Sequence, residues 1–110
     1  MCIRDRAIGR LAENGMAIII KEALANGRLT SSGDLPPTAP GVKATPDAIA
    51  LAAAAQYIPS NIILSGALTV EQLSSNLLAH DLQLPGQSNV TQSAMEPAEY
   101  WAQRSALAWT

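Results

Sequence analysis

The sequence is poor in reactive and aromatic side chains: it has no phenylalanine, one histidine and one cysteine, and aromatic residues make up 4% of its 110 positions. The single Cys2 excludes a disulfide within the chain and a cysteine-rich metal site, and we expect a reducing, cytoplasmic location. Charged residues are also scarce, at 15% with a net charge of −2. Since no basic surface is predicted, we expect neither nucleic acid nor membrane as a partner.

Long apolar runs are missing as well. The longest, residues 48–55, is far shorter than the roughly 17 to 25 residues that cross a bilayer. Positive charges near the start are not followed by the apolar segment of a secretory signal peptide. What the chain does have is 48% hydrophobic residues, a content that indicates a folded core.

The first six residues, Met1 to Arg6 (MCIRDR), resemble a translated sequencing adapter and not a natural start. We therefore exclude residues 1–6 from fold reasoning and expect the natural protein to begin further upstream. Residues 7–110 are interpreted as the C-terminal part of a single domain.

The first half of the chain predicts a helix end, a strand and a linker. Residues 7–14 fit the last turns of a helix, and Gly15 fits the left-handed residue that ends one. The apolar run at 16–20, which ends in three isoleucines, predicts a strand buried on both faces, as in a parallel sheet. A turn or short helical loop at 21–30 and a polar linker at 31–44 follow.

The second half predicts a helix, a second strand and two further helices. Thr45, Pro46 and Asp47 have the pattern of an N-cap and first turn, which predicts a helix to about Tyr57. Residues 61–65 predict a strand, and residues 69–80 a helix with a capping box from Thr69 to Gln72. A polar loop is predicted over 87–95, and a terminal helix over about 96–107.

The predicted order of strand, helix, strand and helix indicates a parallel βαβ arrangement. Strands of this type are buried on both faces, and so short a chain has too few other elements to cover both faces of a two-stranded sheet. The pattern therefore predicts an α/β fold that is part of a larger domain.

Three segments resemble the C-terminal portion of the aldo/keto reductase family. They are residues 18–30 (IIIKEALANGRLT), residues 45–52 (TPDAIALA), and residues 64–76, with Leu-Ser-Gly-Ala followed by Glu-Gln-Leu and Asn76. The family fold is a (β/α)8 TIM barrel, so the resemblance implies that this chain is a C-terminal barrel fragment carrying the seventh and eighth strand exits. It also implies an oxidoreductase that reduces aldehydes or ketones with NADP or NAD.

The resemblance assigns cofactor contacts on both strand exits. Lys21, Glu22, Ala23 and Leu24 would line the nicotinamide and pyrophosphate. Gly66 and Leu68 would lie along the cofactor backbone, and Gln72 and Asn76 would contact its adenine side. Many members have an aromatic ring at the position of Lys21 and an arginine near Leu68, so the choice between NADP and NAD stays open.

No catalytic or metal-binding residue is assigned in this chain. The resemblance implies that the catalytic Asp, Tyr, Lys and His lie on earlier strands. Because the strands of this chain also lack their barrel neighbours, we expect these 110 residues alone to be poorly folded and inactive. A non-catalytic nucleotide-binding or regulatory protein on the same scaffold is the alternative, and a complete small α/β interaction protein is a third possibility. The substrate and the oligomeric state stay open.

Overall fold

The computed structural model describes residues 3–34, 36–85 and 95–108. This part of the chain is a small mixed domain of four α-helices and a two-stranded parallel sheet. The elements are α1 (Ile3–Glu13), β1 (Ile19–Ile20), α2 (Pro46–Tyr57), β2 (Ile62–Ile63), α3 (Val70–Leu77) with a following 3-10 helix (Leu78–Asp81), and α4 (Pro97–Ser105).

Helix α1 ends as its sequence predicts. Gly15 has φ of 75°; its N–H donates to Ala12 O at 3.0 Å, and the N–H of Met16 donates to Leu11 O at 3.0 Å. This pair of bonds is a Schellman motif, in which glycine avoids the steric cost of the left-handed backbone. The helix begins at Ile3, within the six residues that the sequence interpretation set aside.

The two strands pair in parallel, with Ile19 opposite Ile62 and Ile20 opposite Ile63. The Asn61 side chain extends the pairing, because its Oδ1 accepts from Ile18 N–H at 2.8 Å. The predicted parallel order is therefore confirmed. The prediction that residues 16–20 form a strand buried on both faces is wrong for this structure: only two residues pair, and Ile19 is 58% exposed. No second layer covers that face within the described residues.

The core is built around α2, whose residues 47–53 are all buried. Alanine predominates there, and small side chains let α3 and the 3-10 helix pack closely against α2. The linker before it also packs, since Pro37 and Ala39 are buried. Gln56, near the C-terminal end of α2, binds the segment that follows the 3-10 helix. Its Nε2 donates to Leu82 O at 2.8 Å, and its Oε1 accepts from Leu84 N–H at 3.1 Å.

The bounds of α2 agree with the prediction, and α3 ends at Leu77, where the 3-10 helix takes over. The leucines of α3 and the 3-10 helix are largely uncovered, with Leu73, Leu77 and Leu78 exposed by 45%, 63% and 52%. Helix α4 begins at Pro97 as predicted. The predicted polar loop at 87–95 lies outside the described residues except for Met95.

Candidate functional site

A cleft of about 690 Å³ opens where both strands end. The loop after β1 forms one wall, and the turn after β2 with the start of α3 forms the other. Its lining residues are Lys21, Glu22, Ala23, Leu24, Asn26, Gly27, Thr30, Ser31, Ser32, Asp47, Leu64, Ser65, Gly66, Ala67, Leu68, Glu71, Gln72, Ser75 and Asn76. All eight residues that the resemblance assigns to a cofactor are in this set, so the fold brings both predicted strand exits to one place.

The loop after β1 has an unusual backbone. Glu22, Ala25 and Asn26 have φ of 56°, 50° and 58°, and a left-handed conformation costs a residue other than glycine about 1–3 kcal/mol. Such a conformation persists only where surrounding contacts hold it. For Glu22 these contacts come from α4.

Helix α4 is anchored to the cleft loop through the Glu22 carboxylate. Tyr100 Oη donates to Glu22 Oε2 at 2.9 Å, and Arg104 Nε donates to Glu22 Oε1 at 3.2 Å. Tyr100 is half-buried. Trp101 touches it edge-on, with ring centroids 5.2 Å apart, but is 46% exposed.

These contacts fix the protonation states of the pair. The hydrogen bond from Tyr100, and then the Arg104 guanidinium, hold the pKa of Glu22 below its usual range although partial burial acts in the opposite direction. Burial, and then the Glu22 carboxylate, raise the pKa of Tyr100. At neutral pH the carboxylate is therefore charged and the phenol keeps its proton.

The turn after β2 is ordered by side chains that bond to its own backbone. Ser65 Oγ accepts from Ala67 N–H at 3.2 Å, and Gln72 Oε1 accepts from Leu68 N–H at 2.8 Å. Thr69 Oγ1 accepts from Gln72 N–H at 3.1 Å, which confirms the predicted cap. Gln72 reaches back to Leu68 and not to Thr69, so the box closes one residue earlier than the usual pattern.

Gly66 lies at the centre of this turn with φ of 70°. A Cβ placed there would meet no atom within 4 Å. The glycine is therefore required by its backbone conformation, while the space beside it stays open to the cleft.

A buried hydrogen-bond network joins α2, α3 and this turn. Asn76 Nδ2 donates to Asp47 Oδ2 at 2.8 Å, and Ser75 Oγ lies 3.0 Å from Asp47 Oδ1. Ser65 Oγ then donates to Asn76 Oδ1 at 2.9 Å. Asp47 and Asn76 are only 9% and 8% exposed, and each polar atom of the Asn76 amide has a partner within the chain.

Asp47 stays ionised in this setting. Burial raises its pKa, but hydrogen bonds from Ser75, Asn76 and Thr45 act against burial, and the resulting pKa lies below the usual value. The sequence interpretation treated Asp47 only as a first-turn acid of α2. Its bond to Asn76 spans 29 residues, and no local signal in the sequence marks that contact.

Several N–H groups at the start of α3 have no hydrogen-bond acceptor within the described residues. Within the described residues the N–H groups of Thr69, Val70 and Glu71 make no hydrogen bond, and neither does Nε2 of Gln72. The first-turn N–H groups of a helix can donate to a ligand oxygen. Leu68 is 91% exposed beside them, so this wall presents donors next to an apolar side chain.

No group of His, Cys, Asp and Glu residues within residues 3–34, 36–85 and 95–108 could hold a metal ion. In the same ranges, no helix has the length and hydropathy required to cross a membrane. The chain matches no protein-family model, no curated protein and no solved structure. The resemblance to aldo/keto reductases therefore depends on the three sequence segments alone.

Proposed function

We propose that this chain carries the cofactor-binding strand exits of an aldo/keto reductase, an enzyme that reduces aldehydes or ketones with NADPH or NADH. In this proposal β1 and β2 correspond to the seventh and eighth strands of a (β/α)8 barrel, and the protein is cytoplasmic. One observation carries it: all eight residues assigned by resemblance line a single cleft at the carboxyl ends of two parallel strands. Barrel enzymes commonly bind phosphates at the loops after these two strands.

The residues of the cleft fit a dinucleotide in size and in chemistry. A volume of about 690 Å³ lies within the roughly 300–1,000 Å³ of small-molecule sites. Gly66 leaves its backbone open to close approach, and the free N–H groups at the start of α3 are donors for phosphate or ribose oxygens. Lys21 supplies a positive charge on the opposite wall.

The cofactor would supply the hydride, and the residues of this chain would bind and orient it. Helix α4 would contribute indirectly, because Tyr100 and Arg104 hold Glu22 and so shape the loop that begins at Lys21. We propose that the residues which protonate the carbonyl belong to a longer form of the protein. An Asp, Tyr, Lys and His set encoded upstream would support the reductase.

Calorimetric titration with NADH and NADPH tests the cofactor site, on the 110-residue chain once urea unfolding shows a cooperative transition, and otherwise on a longer natural form. We expect binding, and we expect Lys21→Gln to weaken it by about tenfold, because a phosphate loses its positively charged partner. Lys43→Gln makes the same chemical change in the linker, outside the cleft, and should alter affinity less than about twofold. Absence of binding to both nucleotides would refute the site.

An activity assay separates the two enzymatic alternatives. Binding accompanied by aldehyde reduction in a longer natural form would support the reductase. Binding without turnover in that form would favour the non-catalytic nucleotide-binding protein on the same scaffold.

A further inference from the structure

A second, smaller cavity of about 220 Å³ is lined by the loop after β1 on one side and by α4 with the residues after it on the other. Seven described residues line it. Two of them, Arg28 and Arg104, carry positive charges, and none of the seven is acidic. Only Asn26 also lines the larger cleft, so this cavity is a separate feature of the surface.

The guanidinium of Arg28 is only partly satisfied by its contacts. Its Nε donates to Asp34 Oδ1 at 3.1 Å, and its Nη1 donates to the sulfur of Met95 at 3.5 Å. A thioether is a weak acceptor, and Nη2 makes no hydrogen bond within the described residues. The side chain is 19% exposed, so water reaches it only in part. Arg28 therefore has donors available for a better acceptor than the sulfur.

Arg104 adds a second positive charge to the same cavity. Burial and Glu22 raise the pKa of Tyr100, whereas the charges of Arg104 and Arg28 act in the opposite direction. Both guanidiniums therefore lie close enough to this phenol to influence it. The carboxylate that pairs with Arg28 is a weak competitor for an incoming anion, because Asp34 is 67% exposed and an ion pair in water contributes little.

The size and the donors of the cavity suit a small anion with oxygen atoms. Guanidinium groups donate to carboxylate and phosphate oxygens through N–H groups that match their geometry. The side-chain amides of Asn26 and Gln103 are further donors on the two sides. A volume of about 220 Å³ is below the roughly 300–1,000 Å³ of sites for larger ligands, so an acid group fits and a dinucleotide does not.

We propose that this cavity binds a small oxyanion, a carboxylate or a phosphate, whose oxygens accept from the Arg28 guanidinium in place of the Met95 sulfur. Arg104 attracts the anion by its charge. The proposal does not depend on the cofactor cleft, because it requires no nucleotide and uses a different set of side chains.

Titration with inorganic phosphate and, separately, with acetate tests the site. The arginine Nε–H resonances of the ¹⁵N-labelled protein report it, on the 110-residue chain once urea unfolding shows a cooperative transition, and otherwise on a longer natural form. Sodium chloride keeps the ionic strength constant, which removes general screening effects. We expect the Arg28 resonance to shift saturably with at least one anion, with half-saturation in the low millimolar range, and the anion that binds more tightly identifies the ligand as a phosphate or a carboxylate.

Three variants separate binding from a structural role of the arginine, with the Arg104 resonance as the reporter where Arg28 is replaced. Arg28→Gln should weaken binding by about fivefold or more, because charge-assisted hydrogen bonds are lost. Arg10→Gln makes the same change in the last turn of α1, away from the cavity, and should alter affinity less than about twofold. Asp34→Asn removes the competing carboxylate and should tighten binding by about twofold to threefold, which a purely structural arginine would not do.

Three results would overturn the proposal. They are the absence of saturable shifts with both anions at tens of millimolar, equal effects of Arg28→Gln and Arg10→Gln, and weaker binding in Asp34→Asn. Each would leave the cofactor cleft standing, because the nucleotide titrations measure that site independently.

Discussion

Replacing Asp47 by alanine should destabilise the fold more than any exposed acidic substitution. The carboxylate accepts hydrogen bonds from Ser75 and Asn76 at 3.0 and 2.8 Å. Its loss leaves the amide of Asn76, which is 8% exposed, without that partner, at a cost of about 1–3 kcal/mol. Loss of a first-turn charge on α2 adds about 0.3–1 kcal/mol. We therefore expect the free energy of unfolding to fall by about 1–4 kcal/mol.

Equilibrium unfolding in urea, followed by far-UV circular dichroism, measures this change. Asp34→Ala is the matched control, because Asp34 pairs with Arg28 at 3.1 Å but its side chain is 67% exposed; it should cost less than about 1 kcal/mol. The double variant Asp47→Ala/Asn76→Ala should cost about 1–2 kcal/mol less than the sum of its parts. Additive single effects, or a loss at Asp47 no larger than that at Asp34, would refute the network.

Three further changes test separate parts of the structure. Hydrogen bonds in the folded state hold the pKa of Asp47 below 3.8, so its contribution to stability is present above about pH 4 and is lost as the pH falls through the folded pKa. On acidification, the urea midpoint of Asp47→Asn should therefore fall less than that of the wild type. Tyr100→Phe removes the main hydrogen bond to Glu22, so the pKa of Glu22 should rise towards 4.5. The pH titration of the Glu22 carboxyl carbon resonance measures this pKa, and an unchanged pKa would contradict the contact. Gly66→Ala should lower the free energy of unfolding by about 1 kcal/mol or more, because alanine is strained at the left-handed φ of 70°. Gly9→Ala, inside α1, should instead raise the free energy of unfolding by about 0.5–1 kcal/mol. An unchanged stability in Gly66→Ala would contradict the backbone strain expected there.

Local chemistry made the helix ends predictable. Pro46 at N1 and the Thr69 cap depend only on residues a few positions away, and both helices begin where these residues place them. Gly15 marks the end of α1 for the same reason. The parallel pairing followed from the order of the elements and the short apolar runs.

Burial and the polar network were not predictable in this way. Exposure of Ile19 depends on whether another layer covers the sheet, and its β-branched neighbours give the same pattern in either case. The contacts of Asp47 with Asn76 and of Glu22 with Tyr100 span 29 and 78 residues. Such pairs follow from tertiary packing, which no local motif encodes.

The cleft itself was predictable only through the resemblance. The capping box and Gly66 indicate a helix start with room beside it, but any βα unit has these features. The loop from Lys21 to Leu24 became part of a site only because the family motif assigned it. Glu71 and Asp47 were missed as cleft residues, since a first-turn acid has a sufficient explanation in helix electrostatics.

The most direct test of the central claim is a titration of the ¹⁵N-labelled chain with NADH, followed by amide chemical shifts. Binding in the cleft predicts saturable shifts on both of its walls together, at Lys21 and Ala23 on one side and at Gly66 and Glu71 on the other. Resonances of α1 and of Lys43 should stay in place. No shifts at millimolar NADH, or shifts confined to residues outside the cleft, would contradict the assignment of a cofactor site.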